Sequence, residues 1–506
     1  MELPHRFARP SPGLRHRPGL KDQPGLTGQP SSPNLRAGTR GILAMYDLAI
    51  RGGTAVLGDA VVRCDIGVTG GRIAAIAERI EEARRVIRAD ELLVLPGGVD
   101  THCHIEEPFP EGGHQEESWE SASRSAFAGG TTSVVAHTPQ FKGGMLLDQH
   151  RAARARAARA MIDHGFHQII ADPSEAAMAQ IPALVADGVG SLKAFMTYDA
   201  LHLDDAGFLA VLQAARRHGL MVHVHCENYD AINLATRTLI AAGCTAPKYH
   251  ATSRPPVVER EATGRAIALA ELVGQPIQVF HVSCAEVAEE IARAQARGVA
   301  VKAETCPQYV TLTAEDMDRP GFEGAKFMCS PAPRTAADHE GVWAMIRRGV
   351  LDVVTSDHCG FSYEGPRGKA RNGRDAAFDA IPNGIPGLAA RLPVIFSEGV
   401  SKGRIDLPRF VRLAAENPAR IAGLYPRKGV IAIGSDADLV LWDAGRRVTI
   451  TNALMQHAID YTPYEGMEVT GWPAATIRRG EVVMQDGVVL AQPGTGQWLP
   501  RGPAAA

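Results

Sequence analysis

Between about residue 97 and residue 428 the chain alternates short apolar, strand-like runs with longer helix-like ones, and it does so eight times. Alternation of this kind predicts parallel strands joined by crossover helices, because each helix buries its apolar stripe on the sheet it has just left. The strand-like runs are LLVLPGGVDTHCH, TTSVVAH, FHQIIADP, SLKAFM, LMVHVHCEN, IQVFHVS, VAVKAETCPQY and LDVVTSDH. Between them lie runs such as DQHRAARARAARAMIDHG, DDAGFLAVLQAARRHG and AEVAEEIARAQARG, each closed by the glycine that commonly follows a helix. Eight such units fit an α/β fold of the (β/α)8, TIM-like barrel type, with a doubly wound open sheet as the alternative. The polar residues favour the barrel. Six of the eight runs end in His, Lys, Asp or Glu, and the C-terminal ends of barrel strands form the face on which active sites are built.

The flanks read differently. Residues 45–96 and 429–490 are short alternating runs broken by turn signals, among them DLAIRGG, VVRCDIGVTGG, SDADLVLWD and EVVMQDGVVL. They predict a small β-sandwich domain assembled from both flanks, with 491–506 as a C-terminal tail. Residues 1–44 hold seven prolines, six glycines and a basic excess of six Arg and one Lys over Glu2 and Asp22. That composition predicts a disordered leader or translation starting at Met45. A formal net charge of −3 over 506 residues gives no reason to expect a nucleic-acid partner. No apolar run reaches the roughly 18 residues of a membrane span. The eight cysteines show no CxxC spacing, so a reducing, cytoplasmic setting is expected rather than a disulfide framework.

His102 and His104 form an HxH pair at the end of the first barrel run. Side chains two apart on a strand point the same way, so both imidazoles can face one metal. His225 and His281 end later runs, and Asp357 ends the last, where a buried carboxylate needs a cation or donors. Lys193 sits inside the apolar run SLKAFM. A buried ammonium is costly and repels a cation; it is either snorkelling or ion-paired, or it has added carbon dioxide to become an anionic carbamate that bridges two cations. Neutral imidazoles with oxygen ligands suit Zn²⁺, and also Mn²⁺ or Co²⁺. His223 rivals His225, two residues away on the same strand. Cys103, Cys226, Cys284, Cys306 and Cys359 read as small buried fillers. Glu106, Glu107 and Glu111, in the loop after HxH, either face solvent or point inward and put negative charge at the substrate mouth, which would suit a polar or cationic exocyclic group.

From about Tyr46 to Gly487 the chain resembles the cyclic amidohydrolases, and within them the hydantoinase and dihydropyrimidinase group. The stretches that carry the resemblance include PGGVDTHCH, FAGGTTSVV, SLKAFMTY, HCEN, PKYHATSRPPVVEREA, FHVSCAE, ETCPQY, CSPAPR, SDHC, IPNGIPG, GSDADLVLWD and DYTPYEG. The resemblance implies a barrel plus a β-sandwich, two divalent metal ions per chain, and N6-carboxylysine at position 193. His102, His104 and Asp357 would hold one ion, His225 rather than His223 would join His281 on the other, and carboxylated Lys193 would bridge them. Asp357 would be the catalytic acid–base, Tyr198 would stabilise the oxyanion, and Ser330 and Asn383 would bind substrate. The implied reaction is ring opening of a 5,6-dihydropyrimidine or 5-substituted hydantoin to the N-carbamoyl amino acid, by hydroxide raised between the two cations. Assembly as a homotetramer is implied as well.

Glu106 stands where dihydroorotase- and allantoinase-type sequences carry Arg, which favours an uncharged cyclic ureide. Allantoinase, dihydroorotase and imidase types are the alternatives within the group. A non-catalytic scaffold with the same fold is the alternative outside it.

Overall fold

The computed structural model describes residues 45–109 and 112–502. The expectations for the leader 1–44 and for Glu111 fall outside the described residues.

Strands β1 (Tyr46–Leu57), β2 (Ala60–Thr69), β3 (Arg72–Ala77), β4 (Ala83–Arg88) and β5 (Leu93–Pro96) come first. The barrel strands follow: β6 (Gly98–His104), β7 (Thr131–Thr138), β8 (Asp163–Ile169), β9 (Ser191–Phe195), β10 (Met221–His225), β11 (Ile277–Val279), β12 (Val301–Thr305), β13 (Val353–Val354) and β14 (His358–Cys359). Then come β15 (Leu439–Thr449), β16 (Glu468–Arg478), β17 (Glu481–Gln485) and β18 (Val488–Val489).

The first and last groups form one mixed sheet in the order β18-β17-β16-β15-β5-β1-β2-β3, with β4 on β1. The two chain ends meet where β5 runs antiparallel to β15, Pro96 opposite Leu439. The run LLVLPGGVDTHCH, read from the sequence as one strand, is two. Its first half is β5 of the mixed sheet and its second half is β6 of the barrel. The crossing needs a glycine, since a Cβ on Gly97 would lie 2.2 Å from Thr132 Oγ1.

The second sheet is parallel, in the order β13-β12-β11-β10-β9-β8-β7-β6-β14. β13 pairs with β12 and β14 pairs with β6, and only Thr355, Ser356 and Asp357 separate them. The two short pieces are one interrupted eighth strand that closes the sheet into a barrel. One helix-like run ends earlier than its glycine: the helix in DQHRAARARAARAMIDHG stops at Arg156, and Gly165 lies inside β8, whose pairing takes Asp163 and His164 as well. In DDAGFLAVLQAARRHG the sequence signals hold. Asp204 accepts a 2.8 Å hydrogen bond from the Gly207 N–H at the start of helix Asp205–His218, and Gly219 ends it with φ +66°.

Neighbouring strands are in register with period 2. His223 lies beside Lys193, with Val222 beside Leu192 and Val224 beside Ala194. The apolar pairs belong to the large core cluster that includes helix residues Phe208, Val211 and Ala266, so Lys193 and His223 are left to the barrel interior.

The other end of the barrel is tied to the mixed sheet by buried charge. Lys428 Nζ lies 2.7 Å from Asp163 Oδ2, 2.7 Å from Asp438 Oδ2 and 3.0 Å from Asp436 Oδ2, and Arg479 also pairs with Asp163. Removing one partner of a buried ion cluster leaves the others uncompensated. Lys428→Met is therefore expected to cost ~3–5 kcal/mol, read as a lower thermal midpoint by calorimetry; an unchanged midpoint would rule out this stabilising role. Residues of the C-terminal tail also dock here, with the His164 N–H donating to Gln497 O and the Leu499 N–H to His164 O. Among the described residues no helix is long and apolar enough to cross a membrane.

Candidate metal centre

His102, His104, Lys193, Tyr198, His225, His281, Ser330, Asp357 and Asn383 line a single cavity of about 200 Å³ at the C-terminal ends of the barrel strands. These are all nine residues singled out from the sequence. They come from five barrel strands or the segments just beyond them, and from two later loops.

The backbone breaks its regular path at three of these positions. Tyr198 has φ +72°, His281 +42° and Asp357 +47°, a left-handed region costly for residues with a Cβ. The break at Asp357 is what splits the eighth strand. It leaves Oδ1 of Asp357 3.0 Å from His102 Nε2 and 3.8 Å from His104 Nε2. His225 and His281 pack edge to face with ring centroids 4.4 Å apart, and the His281 ring lies 5.3 Å from that of His102.

Three of the four rings are oriented by an acceptor on the far side. His102 Nδ1 lies 2.5 Å from Glu304 Oε1, His104 Nδ1 2.8 Å from Glu107 Oε1, and His225 Nε2 2.7 Å from Glu227 Oε2. Such carboxylate partners fix tautomer and orientation in metal-binding histidines. Burial holds the pKa of His102, His225 and His281 below the ordinary imidazole value, which favours the neutral ligand form. Burial opposes charge on His104 too, but Glu107 and Asp357 outweigh it and raise its pKa. Glu227 is drawn down to about 2; burial works against this, and Arg254 and His225 prevail.

Lys193 is fully buried, with its amine over the faces of Phe280 (3.8 Å to the centroid) and Phe195 (4.8 Å). Burial lowers its pKa to about 7. Among the described residues its Nζ has no hydrogen-bond partner, and neither has His281 Nδ1. Buried polar atoms without partners are costly. Here they lie around one cavity among imidazoles and a carboxylate, which is a donor set that can hold Zn²⁺, Mn²⁺ or Co²⁺. Of the other histidines, His223 is buried between the rings of His167 (4.3 Å) and Phe280 (4.6 Å) and does not line the cavity.

One expectation needs correction. Cys103, Cys226, Cys284 and Cys306 are buried, but Cys359 is half-buried and lines the cavity. Its thiol groups with His104 and Asp357, one ligand atom of each lying within 4.8 Å of the others. Of the two readings of the acidic loop, the inward one fits Glu106 and Glu107, which are half-buried. Glu106 accepts from the Trp119 N–H at the start of helix Trp119–Ala128, and Glu107 lines the cavity. The supporting residues Glu304, Glu227 and Arg254 carried a signal in ETCPQY, HCEN and SRPP, but only the fold shows what they touch. A second cavity of about 250 Å³, bounded by Tyr229, Arg254 and Phe378 among others, shares Tyr198 and Asn383 with the first.

Comparison with known proteins agrees with this architecture. The Amidohydrolase family matches residues 93–483. D-hydantoinase from Rhizobium radiobacter is 41% identical over 457 residues, covering 90% of this chain and 99% of that one. D-hydantoinase from Geobacillus stearothermophilus is 39% identical over 456 residues, covering 89% and 96%. Among solved structures, the crystal structure of dihydropyrimidinase from Brevibacillus agri NCHU1002 superposes with a TM-score of 0.88 at 37% identity, covering 90% of this chain and 99% of that one. With a barrel of this topology, a strand-end cluster of this composition and similarity running nearly end to end, the chain belongs to the amidohydrolase family, in its hydantoinase and dihydropyrimidinase group.

Proposed function

We propose that the protein hydrolyses a ring C–N bond of an uncharged cyclic ureide, a 5,6-dihydropyrimidine or a 5-substituted hydantoin, to give the N-carbamoyl amino acid. The observation that carries this reading is the convergence of His102, His104, Lys193, His225, His281 and Asp357 on one small cavity. At about 200 Å³, it is below the ~300–1,000 Å³ of sites for drug-sized ligands and suits a single ring.

In this reading His102, His104 and Asp357 would hold one divalent cation, His225 and His281 would hold a second, and carboxylated Lys193 would contribute oxygens to both, Zn²⁺ being the first choice. When bound, the cations supply Lewis acidity toward a ring carbonyl and lower the pKa of water. With its pKa near 7, the Lys193 amine offers a lone pair at neutral pH. Its nitrogen bonds to the carbon of CO2 and releases a proton, leaving an anionic carbamate.

Asp357 takes a proton from the attacking water as the new C–O bond forms, and returns it to the ring nitrogen as the C–N bond breaks. The Tyr198 hydroxyl donates to the oxyanion that develops on the carbonyl oxygen. Burial raises the phenol's pKa, so it keeps the proton it must donate. Ser330 and Asn383 hold the ring. Tyr198→Phe is expected to lower kcat by ~10²–10³ with metal content unchanged, checked by steady-state kinetics and elemental analysis.

The Glu107 carboxylate in the cavity wall supports a second reading, in which the exocyclic group of the ureide is polar or cationic. One panel tests both: dihydrouracil, dihydrothymine, hydantoin, phenylhydantoin, an aminoalkyl hydantoin, allantoin, dihydroorotate and succinimide, with metal-loaded protein and chromatographic detection of the opened product. Turnover of the uncharged ureides is expected, with anionic dihydroorotate rejected. A preference for the aminoalkyl compound would select the second reading. No opening of any cyclic ureide by protein carrying two cations would end the proposal.

A further inference from the structure

His137 follows β7 residue Ala136 and is buried against the metal centre, although neither the HxH spacing nor the resemblance gives it a role. Its ring stacks on that of His104 at 4.5 Å with 17° between planes, and meets that of His102 edge on at 5.1 Å. One ring nitrogen from each of His102, His104 and His137 lies within 4.8 Å of the others.

The three rings share a hydrogen-bonding pattern. Nδ1 of His102 faces Glu304, Nδ1 of His104 faces Glu107, and Nδ1 of His137 lies 3.3 Å from the carbonyl oxygen of Cys103. A proton donated from Nδ1 leaves the Nε2 lone pair free in each. Nε2 of His137 is buried and has no partner among the described residues. An imidazole nitrogen left without a partner at this depth loses its hydration with nothing in return.

We propose that His137 is a third imidazole ligand for the cation held by His102 and His104. The proposal rests on the reading that this cluster binds metal at all. It gives that position one more protein ligand than the HxH pair, Asp357 and a bridging carbamate supply, and so a higher coordination number than the His225–His281 position. An additional nitrogen donor of this kind favours cations that accept five or six ligands, such as Co²⁺ and Mn²⁺, at that position.

The test compares the parent with His137→Phe, which keeps a flat ring, and His137→Gln, which keeps a polar group. Both are loaded with Zn²⁺ or Co²⁺ and dialysed against a chelator. In both variants one of two equivalents should leave, with affinity at that position lowered by about tenfold or more. The visible Co²⁺ absorption should intensify as the coordination number falls, and the thermal midpoint of the metal-free protein should stay unchanged. Variants that hold both equivalents with parental affinity and spectrum would overturn the proposal. So would a fall in metal-free stability with loss of both equivalents, which would make His137 a packing residue. A parent that binds no divalent cation would overturn the underlying reading of the site, and the His137 assignment with it.

Discussion

Lys193→Ala protein, purified and dialysed, is expected to hold well under one equivalent of divalent cation per chain, against about two for the parent, with cyclic-ureide hydrolysis falling by at least about 100-fold. The reasoning starts from burial. The amine is fully enclosed, lies over two aromatic faces and has no hydrogen-bond partner among the described residues. As an ammonium it would repel cations held by the surrounding histidines; as a carbamate it would supply two oxygens and a negative charge. Two controls sharpen the result. Lys193→Ala should recover part of its metal and activity when a short-chain carboxylic acid is supplied, and parental apo-protein should reload metal more completely with bicarbonate present than without it. Full metal occupancy and normal turnover in Lys193→Ala would remove the carbamate from the account.

Asp357→Asn is expected to behave differently. Asparagine keeps the shape and one oxygen donor, so most of the metal should stay, while kcat falls by ~10²–10⁴ because the amide cannot take and return the proton. The φ of +47° at this position is one that Asn tolerates nearly as well as Asp, so the fold should survive the exchange. Elemental analysis and the thermal midpoint check those two conditions, and steady-state kinetics reads the effect. Asp357→Asn with kcat near that of the parent would move the proton-transfer role to another residue. Loss of both metals would make Asp357 a ligand whose charge is required for assembly of the site. Together the two variants separate a group that builds the centre from one that works in it.

Much of the candidate site was legible before any coordinates. A lysine in SLKAFM and an aspartate after LDVVTS break apolar runs at positions where burial is costly. Histidines at strand ends could be assigned to a common face because every strand of a parallel barrel points the same way. The supporting residues were harder to see. Glu304 stands 202 residues from His102, the ring it orients. The sequence leaves Glu107 free to face solvent or the site, and only the path of the loop after β6 turns its carboxylate onto His104. Cys359 was assigned to the buried side by strand alternation, and that rule fails where the eighth strand is interrupted at Asp357.

The sequence by itself determined the alternation of strands and helices, the sheet built from both flanks and the chemical identity of the residues at the strand ends. Those properties depend on side-chain period and burial cost, which are local. Only the tertiary structure decided that β5 leaves the barrel for the mixed sheet, that the backbone turns left-handed at Tyr198, His281 and Asp357, and that His137 stacks on His104. Each of these depends on the register between neighbouring strands and on packing that outweighs local backbone preference, neither of which a local pattern in the sequence encodes.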